Sequence, residues 1–129
     1  MDINWDELAR VADSVQRNAL LAPGGKTKVG CAAINEHGHI GSGCNLQHKY
    51  RCDIHAEVAA LASLRSSEVG RVVGILILAE RDKFTPCGAC MDWIFELGGP
   101  ECEVAFQKNV LSKKRDVFRA SHLMPHYPS

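Results

Sequence analysis

The sequence predicts an α/β fold in which one five-stranded sheet carries helices on its faces. Three observations point there. The apolar residues change period along the chain, from three- and four-residue steps to short β-branched runs and back, in the order α-β-β-α-β-α-β-β-α. The 129 residues suit one domain, at about 100–200 residues per domain. Hydrophobic residues make up 46% and charged residues 23%, the balance of a globular chain with a core rather than a disordered one.

The elements follow in order. From Trp5 to Leu21 the apolar positions Trp5, Leu8, Val11, Ala12, Val15, Ala19 and Leu20 define an amphipathic helix, with Asn4 as its N-cap. Ala22-Pro23-Gly24-Gly25 ends it. Val29–Ile34 and Ile40–Leu46 flank the turn-like Asn35-Glu36-His37-Gly38-His39, which reads as a β-hairpin. His55–Leu64 is rich in Ala, Leu and Glu and predicts a helix. Val72–Leu78 is apolar throughout and suits a central strand buried on both faces. Cys87–Leu97 returns to helical spacing, with Trp93 expected in the core and Phe95 at a subunit face, and Gly98-Gly99-Pro100 stops it. Cys102–Phe106 and Val110–Phe118 predict a hairpin around a tight Gln107-Lys108-Asn109 turn, and Arg119–Met124 a last helical turn. Lys113-Lys114-Arg115 reads as a solvated strand edge.

Composition excludes some classes. Fifteen basic residues balance fifteen acidic ones, so the basic footprint of a chain that grips nucleic acid by its phosphates is missing. The longest nearly apolar run, Val72–Ala79, is too short to cross a membrane as a helix. The start, Met1 to Glu7, is acidic and has no apolar stretch, so no secretory signal is expected and a cytoplasmic protein is. Six cysteines fall short of a disulfide scaffold, and in a reducing compartment close cysteine pairs bind metal or do chemistry. Cys31, Cys44 and Cys102 lie in predicted strands as small buried hydrophobes.

Two segments carry chemistry: Asp53-Ile54-His55-Ala56-Glu57 and Thr85-Pro86-Cys87-Gly88-Ala89-Cys90, each at the start of a predicted helix. His55, Cys87 and Cys90 form a nitrogen and sulfur set that suits Zn²⁺ and leaves the fourth tetrahedral position open for water. The helix start favours thiolates. Glu57, two residues past His55, can lean over the metal without ligating it. A competing reading adds Cys52 to close a structural four-ligand knot. His48, Lys49, Tyr50 and Arg51 form a polar loop before the metal ligand, either an exposed loop or a lid that meets substrate.

The combined H-x-E…P-C-x-x-C pattern is the zinc deaminase signature, with the Glu as proton shuttle. On these residues the chain resembles the cytidine deaminase superfamily. Lys28-Val29-Gly30-Cys31-Ala32-Ala33 looks like its V-G-A-A strand, and Gly43-Cys44-Asn45-Leu46-Gln47 like the next one. Leu123-Met124-Pro125 with Tyr127 is similar to the ending of small nucleoside deaminases. The resemblance implies a three-layer fold, a mixed five-stranded sheet with helices on both faces, and a single deaminase domain over residues 1–129. It implies zinc on His55, Cys87 and Cys90, Glu57 as catalytic residue, and Asn45 and Gln47 as substrate-binding residues. It also implies a small-molecule nucleoside substrate, no nucleic acid or membrane partner, and a homotetramer.

Departures bear on substrate. The family's Asn-x-Glu pair, which holds the ribose hydroxyls, is Asn45-Leu46-Gln47, and an aromatic near the base pocket is replaced by Thr27. The interval from Asn45 to His55 is one residue short, as in blasticidin S deaminases, which also lack the acidic ribose residue. The relatives' three cysteine ligands and following Arg become His55 and Met91, and the two changes compensate in charge. The expected activity is therefore hydrolytic deamination of a cytosine-type nucleoside, cytidine, deoxycytidine or an analogue. A modified cytosine nucleoside, such as an aminoacylnucleoside antibiotic, and a non-catalytic zinc-stabilised domain are the alternatives.

Overall fold

The computed structural model describes residues 2–128. Its elements are α1 (Trp5–Gln16), β1 (Val29–Asn35), β2 (Ile40–Cys44), α2 (Ala56–Ser67), β3 (Val72–Ala79), α3 (Gly88–Gly98), β4 (Glu103–Gln107), β5 (Asp116–Arg119) and α4 (Ala120–Leu123). The strands form one sheet in the order β2-β1-β3-β4-β5. β3 and β4 run parallel and the other pairs antiparallel, so the sheet is mixed as expected.

Alternation along the strands builds the layers. Cys31 and Ala33 of β1, with Ile75, Ile77 and Ala79 of β3, pack with Ala60, Leu61 and Leu64 of α2 and Met91 and Ile94 of α3. The intervening Ala32, Ile34, Leu76 and Leu78 pack with Leu8, Ala9 and Ala12 of α1 on the opposite face. Because side chains in a strand point alternately to either side, one apolar run serves both faces. The β1–β2 turn is made locally: the Asn35 side-chain oxygen accepts from the His37 and His39 amides, and Gly38 takes φ 86°. Asn4 caps α1 by accepting from the Glu7 amide at 3.1 Å.

β3, α3 and β4 form a β-α-β unit. The chain leaves the C-terminal end of β3, passes Thr85-Pro86-Cys87 and enters α3, so the N-terminus of α3 lies beyond the carboxyl end of the central strand. Open α/β sheets bind ligands at such ends. α2 reaches the same place because it lies closely on β2. A Cβ at Gly43 would stand 2.5 Å from the Ala59 Cβ, and one at Gly41 would stand 2.5 Å from the Leu64 Cβ. Gly43→Ala is expected to destabilise the protein by about 1–3 kcal/mol through overpacking, read as a lower urea midpoint. An unchanged midpoint would show that α2 can move off the sheet freely.

Four sequence expectations are corrected. α1 ends at Gln16 rather than Leu21: Asn18 and Ala19 close short turns onto Val15 and Gln16, and Leu20 pairs with Asn45 and Gln47 through its backbone. The last hairpin has a longer connection and a shorter second strand than Val110–Phe118. The side-chain oxygen of Asn109 accepts from the Leu111 amide, and its carbonyl accepts from the Ser112 amide, so the chain coils before pairing. Lys113-Lys114-Arg115 thus precedes the strand, and Arg115 bridges Asp6 at 2.6 Å. Trp93 is half exposed on α3 rather than in the core. Phe95 is half-buried and stacks on Tyr127 at 4.0 Å between ring centres, which ties the C-terminal segment to α3.

Candidate zinc-binding active site

Two helix N-termini meet at the site. His55 is the N-cap of α2 (φ −78°, ψ 149°) and Cys87 that of α3 (φ −70°, ψ 171°), both in extended backbone. Their carbonyls accept the first helical bonds, from the Ala59 amide at 3.0 Å and the Met91 amide at 2.9 Å. Cys90 lies one turn into α3 and is fully buried, whereas His55 and Cys87 are open to solvent. The His55 Nδ1 atom stands 3.3 Å from both the Cys87 and the Cys90 sulfur. All three ligand atoms lie within 4.8 Å of one another.

This donor set fits zinc. Burial pushes the Cys90 thiol up, with the charges of Glu57 and Cys87 adding to the effect, so a thiolate there needs a cation in contact. One imidazole nitrogen and two sulfurs are the soft and borderline donors that Zn²⁺ takes, and three protein ligands leave one tetrahedral position open. Cys52 is exposed and lies outside this set among the described residues, which removes the fourth ligand of the structural knot.

Glu57 occupies the first turn of α2 and is 3% exposed. Burial raises its pKa, and a backbone hydrogen bond, His55 and Cys90 pull the other way. A carboxyl held this way takes a proton more readily than a free one and, beside the metal triangle, is placed to pass it on. Cys31 of β1 is buried beside this end of the site, its thiol pushed up by burial and then by Glu57 and Cys90. It is the small buried group expected from the sequence.

Glu57, His55 and Cys87 line a cavity of about 350 Å³ together with Asn45, Gln47, Phe84 and Thr85. Asn45 and Gln47 are thus brought to the same cavity, but both are engaged by the backbone. The Asn45 Oδ1 accepts from the Val29 amide at 2.8 Å, and its Nδ2 donates to the Thr27 carbonyl at 3.0 Å. The Gln47 Oε1 accepts from the Ala22 amide at 3.0 Å. Arg51, Asp53 and Arg81 also reach the cavity. Of these, sequence reasoning singled out the loop containing Arg51 and the segment that begins at Asp53, but not Arg81. Arg81 and Phe84, just upstream of Pro86, carry no spacing signal; proximity to Cys87 was the one available pointer.

The family model for the cytidine and deoxycytidylate deaminase zinc-binding region matches residues 4–106. A cytidine deaminase of Mycobacterium tuberculosis H37Rv is 29% identical over 102 residues, covering 78% of this chain and 76% of the relative. The crystal structure of cytidine deaminase from Mycobacterium leprae aligns with a TM-score of 0.81 and 28% identity, covering 97% of this chain and all of that one. The cytidine deaminase structure from Burkholderia pseudomallei aligns at 0.83 with 27% identity, covering 96% and 98%. The donor triangle and the adjoining buried carboxyl agree with these matches, and the chain belongs to the cytidine and deoxycytidylate deaminase family of zinc-dependent hydrolytic deaminases.

Proposed function

We propose that the protein deaminates a cytosine-type nucleoside, cytidine, deoxycytidine or an analogue, and that His55, Cys87 and Cys90 ligate zinc while Glu57 is the catalytic proton carrier. The observation that carries this is the placement of one buried carboxyl, Glu57, beside a three-donor metal triangle and a cavity sized for a nucleoside. Zinc, when bound, makes hydroxide available near neutral pH by lowering the pKa of water toward about 7. Glu57 accepts the proton released from water and delivers it to the ring nitrogen next to C4. As the C4–O bond forms, the ring is held between the cavity walls. Glu57 then moves the proton of the new C4 hydroxyl to the amino group, the C4–N bond breaks as the C4 carbonyl forms, and ammonia leaves with a uracil-type product. Net consumption is one water per ammonia released.

The same reading takes residues 1–129 as a single deaminase domain and places it in the cytoplasm as a homotetramer. Support comes from the six free cysteines and from an apolar groove between α2 and α3, where exposed Trp93 adjoins Val58, Leu61 and Leu97. No helix among the described residues is long and apolar enough to cross a membrane.

Asn45 and Gln47 are the proposed sugar contacts. Gln47 lacks the charge that makes a carboxylate–hydroxyl bond strong, which favours a modified cytosine nucleoside as the second reading. Gln47→Glu keeps an acceptor for the Ala22 amide and is expected to lower KM for cytidine several-fold to about tenfold, with kcat barely changed. Steady-state kinetics checks it; an unchanged or higher KM removes Gln47 from the sugar site. The function as a whole is tested by ammonia release from a panel of amino-nucleosides and free bases. Turnover confined to cytosine nucleosides supports it, and no release from any member of the panel overturns it.

A further inference from the structure

We propose that Phe84 is a specificity-determining residue of this site: its ring is the aromatic wall against which the pyrimidine of the substrate packs. This rests on the deaminase reading above and deepens it. Among the described residues that line the Glu57 cavity, Phe84 is the one aromatic side chain besides the ligand His55. The other apolar side chains there are aliphatic. Two of them, Val29 and Ala56, offer almost no surface, being 8% and 1% exposed.

Phe84 is held in place from behind. Residues 81–85 are exposed except Phe84, which packs, half-buried, against the core layer between the sheet and helices α2 and α3. Its ring stacks on that of Phe106 in β4, with ring centres 5.7 Å apart and planes 22° from parallel. Phe106 is itself buried and pairs with Ile77 of β3, so the support belongs to the sheet. The Arg81 guanidinium also approaches the Phe84 ring, 5.9 Å from its centre. A large apolar ring left half open in a cavity forgoes part of its burial energy, and a flat ligand restores it.

Its place on the chain decides which part of the substrate meets it. Phe84 is three residues before Cys87, so at most about 10–11 Å of backbone separates them. The carbon that loses its amino group must come to the end of the cavity lined by Cys87, His55 and Glu57. Asn45 and Gln47, the proposed sugar contacts, enter instead from the segment after β2. The base therefore falls to Phe84 and the sugar to the two amides. Aromatic rings pack offset-stacked or edge-to-face with centres about 4.5–7 Å apart, and a pyrimidine presents both a π face and an edge. A saturated ring such as 5,6-dihydrouracil has similar size but no π system, so it loses this contact.

The test compares uridine, the product expected from cytidine, with 5,6-dihydrouridine, whose base is saturated and puckered. Both are titrated into the zinc-loaded full chain by calorimetry. Neither compound has an amino group to lose, so binding is read without turnover. Uridine should bind about three- to tenfold more tightly than dihydrouridine, the range of one aromatic pair. In Phe84→Leu, which stays apolar, that ratio should fall to about one, and in Phe84→Tyr it should stay near the wild-type value. With cytidine as substrate, Phe84→Leu should raise KM about three- to tenfold and leave kcat within about twofold, because the wall is remote from the bonds that break. A ratio near one in the wild-type protein, or a ratio unchanged in Phe84→Leu, overturns the inference while leaving cytidine deamination intact. Loss of kcat at unchanged KM overturns it too, since the ring then only supports the segment that carries Cys87. Absence of ammonia from cytidine and every other amino-nucleoside overturns the deaminase reading instead, and the calorimetry still decides the role of Phe84.

Discussion

Glu57→Gln is expected to keep its zinc and lose turnover by about 10²–10⁴-fold, the range of general acid–base catalysis. The amide fills the same space and can hydrogen-bond, but it cannot accept the proton of water or carry it to the leaving amine. Glu57 is outside the donor set of His55, Cys87 and Cys90, so metal content should stay at about one zinc per chain. Because the native carboxyl is buried, with its pKa raised by that burial, a neutral amide costs little stability in its place. Metal analysis, thermal unfolding and kcat together check the outcome. Wild-type kcat in the variant would remove Glu57 from the chemistry, and loss of zinc would make it a ligand instead.

Cys90→Ser is expected to reduce bound zinc from about one per chain to background and to abolish activity. Cys90 is fully buried at the first turn of α3, 3.3 Å from His55 Nδ1, so no exposed side chain can take over its position. The variant is hit twice. A buried hydroxyl without a partner costs about 1–3 kcal/mol. The stabilisation that bound metal adds, about 4 kcal/mol at a thousandfold excess over Kd, disappears as well. Cys52→Ser is the control and is expected to keep zinc and most activity, since Cys52 is exposed and apart from the triangle. Zinc loss in Cys52→Ser together with retention in Cys90→Ser would reverse the ligand assignment.

How much of this was legible in the sequence depended on whether a feature was local. β1 and β3 announce themselves by apolar runs whose side chains alternate between the two helix layers, as Cys31, Ala32 and Ala33 show. The metal triangle was legible because both halves sit on helix starts, where His55 and Cys87 are N-caps and Cys90 follows one turn later. Element ends were less legible. Ala19 and Leu20 continue the helical period of α1, yet the Leu20 backbone is taken by Asn45 and Gln47 from across the chain. Periodicity carries no information about such partners. Val110–Phe118 likewise has the apolar content of a strand, but the Asn109 side chain captures the Leu111 amide first. Trp93 looked like core by residue type, and its helix face is decided by which side Met91 and Ile94 turn to the sheet.

The site shows the same division. Asn45 and Gln47 were read as a sugar-facing pair from their alternation, and both do border the cavity. That their amides also hold the Thr27, Val29 and Ala22 backbone follows only from the close approach of two loops. Arg81 reaches the cavity because β3 ends beside the N-terminus of α3, a consequence of the parallel β3–β4 crossover rather than of any motif.

The central claim is that catalysis by this chain needs one zinc held by His55, Cys87 and Cys90. The direct measurement is ammonia release from cytidine as zinc is titrated into metal-free protein. Activity should be absent without metal and rise in proportion to zinc bound, reaching its plateau at about one ion per chain. Full activity in the metal-free protein, or activity indifferent to zinc content, would contradict the account.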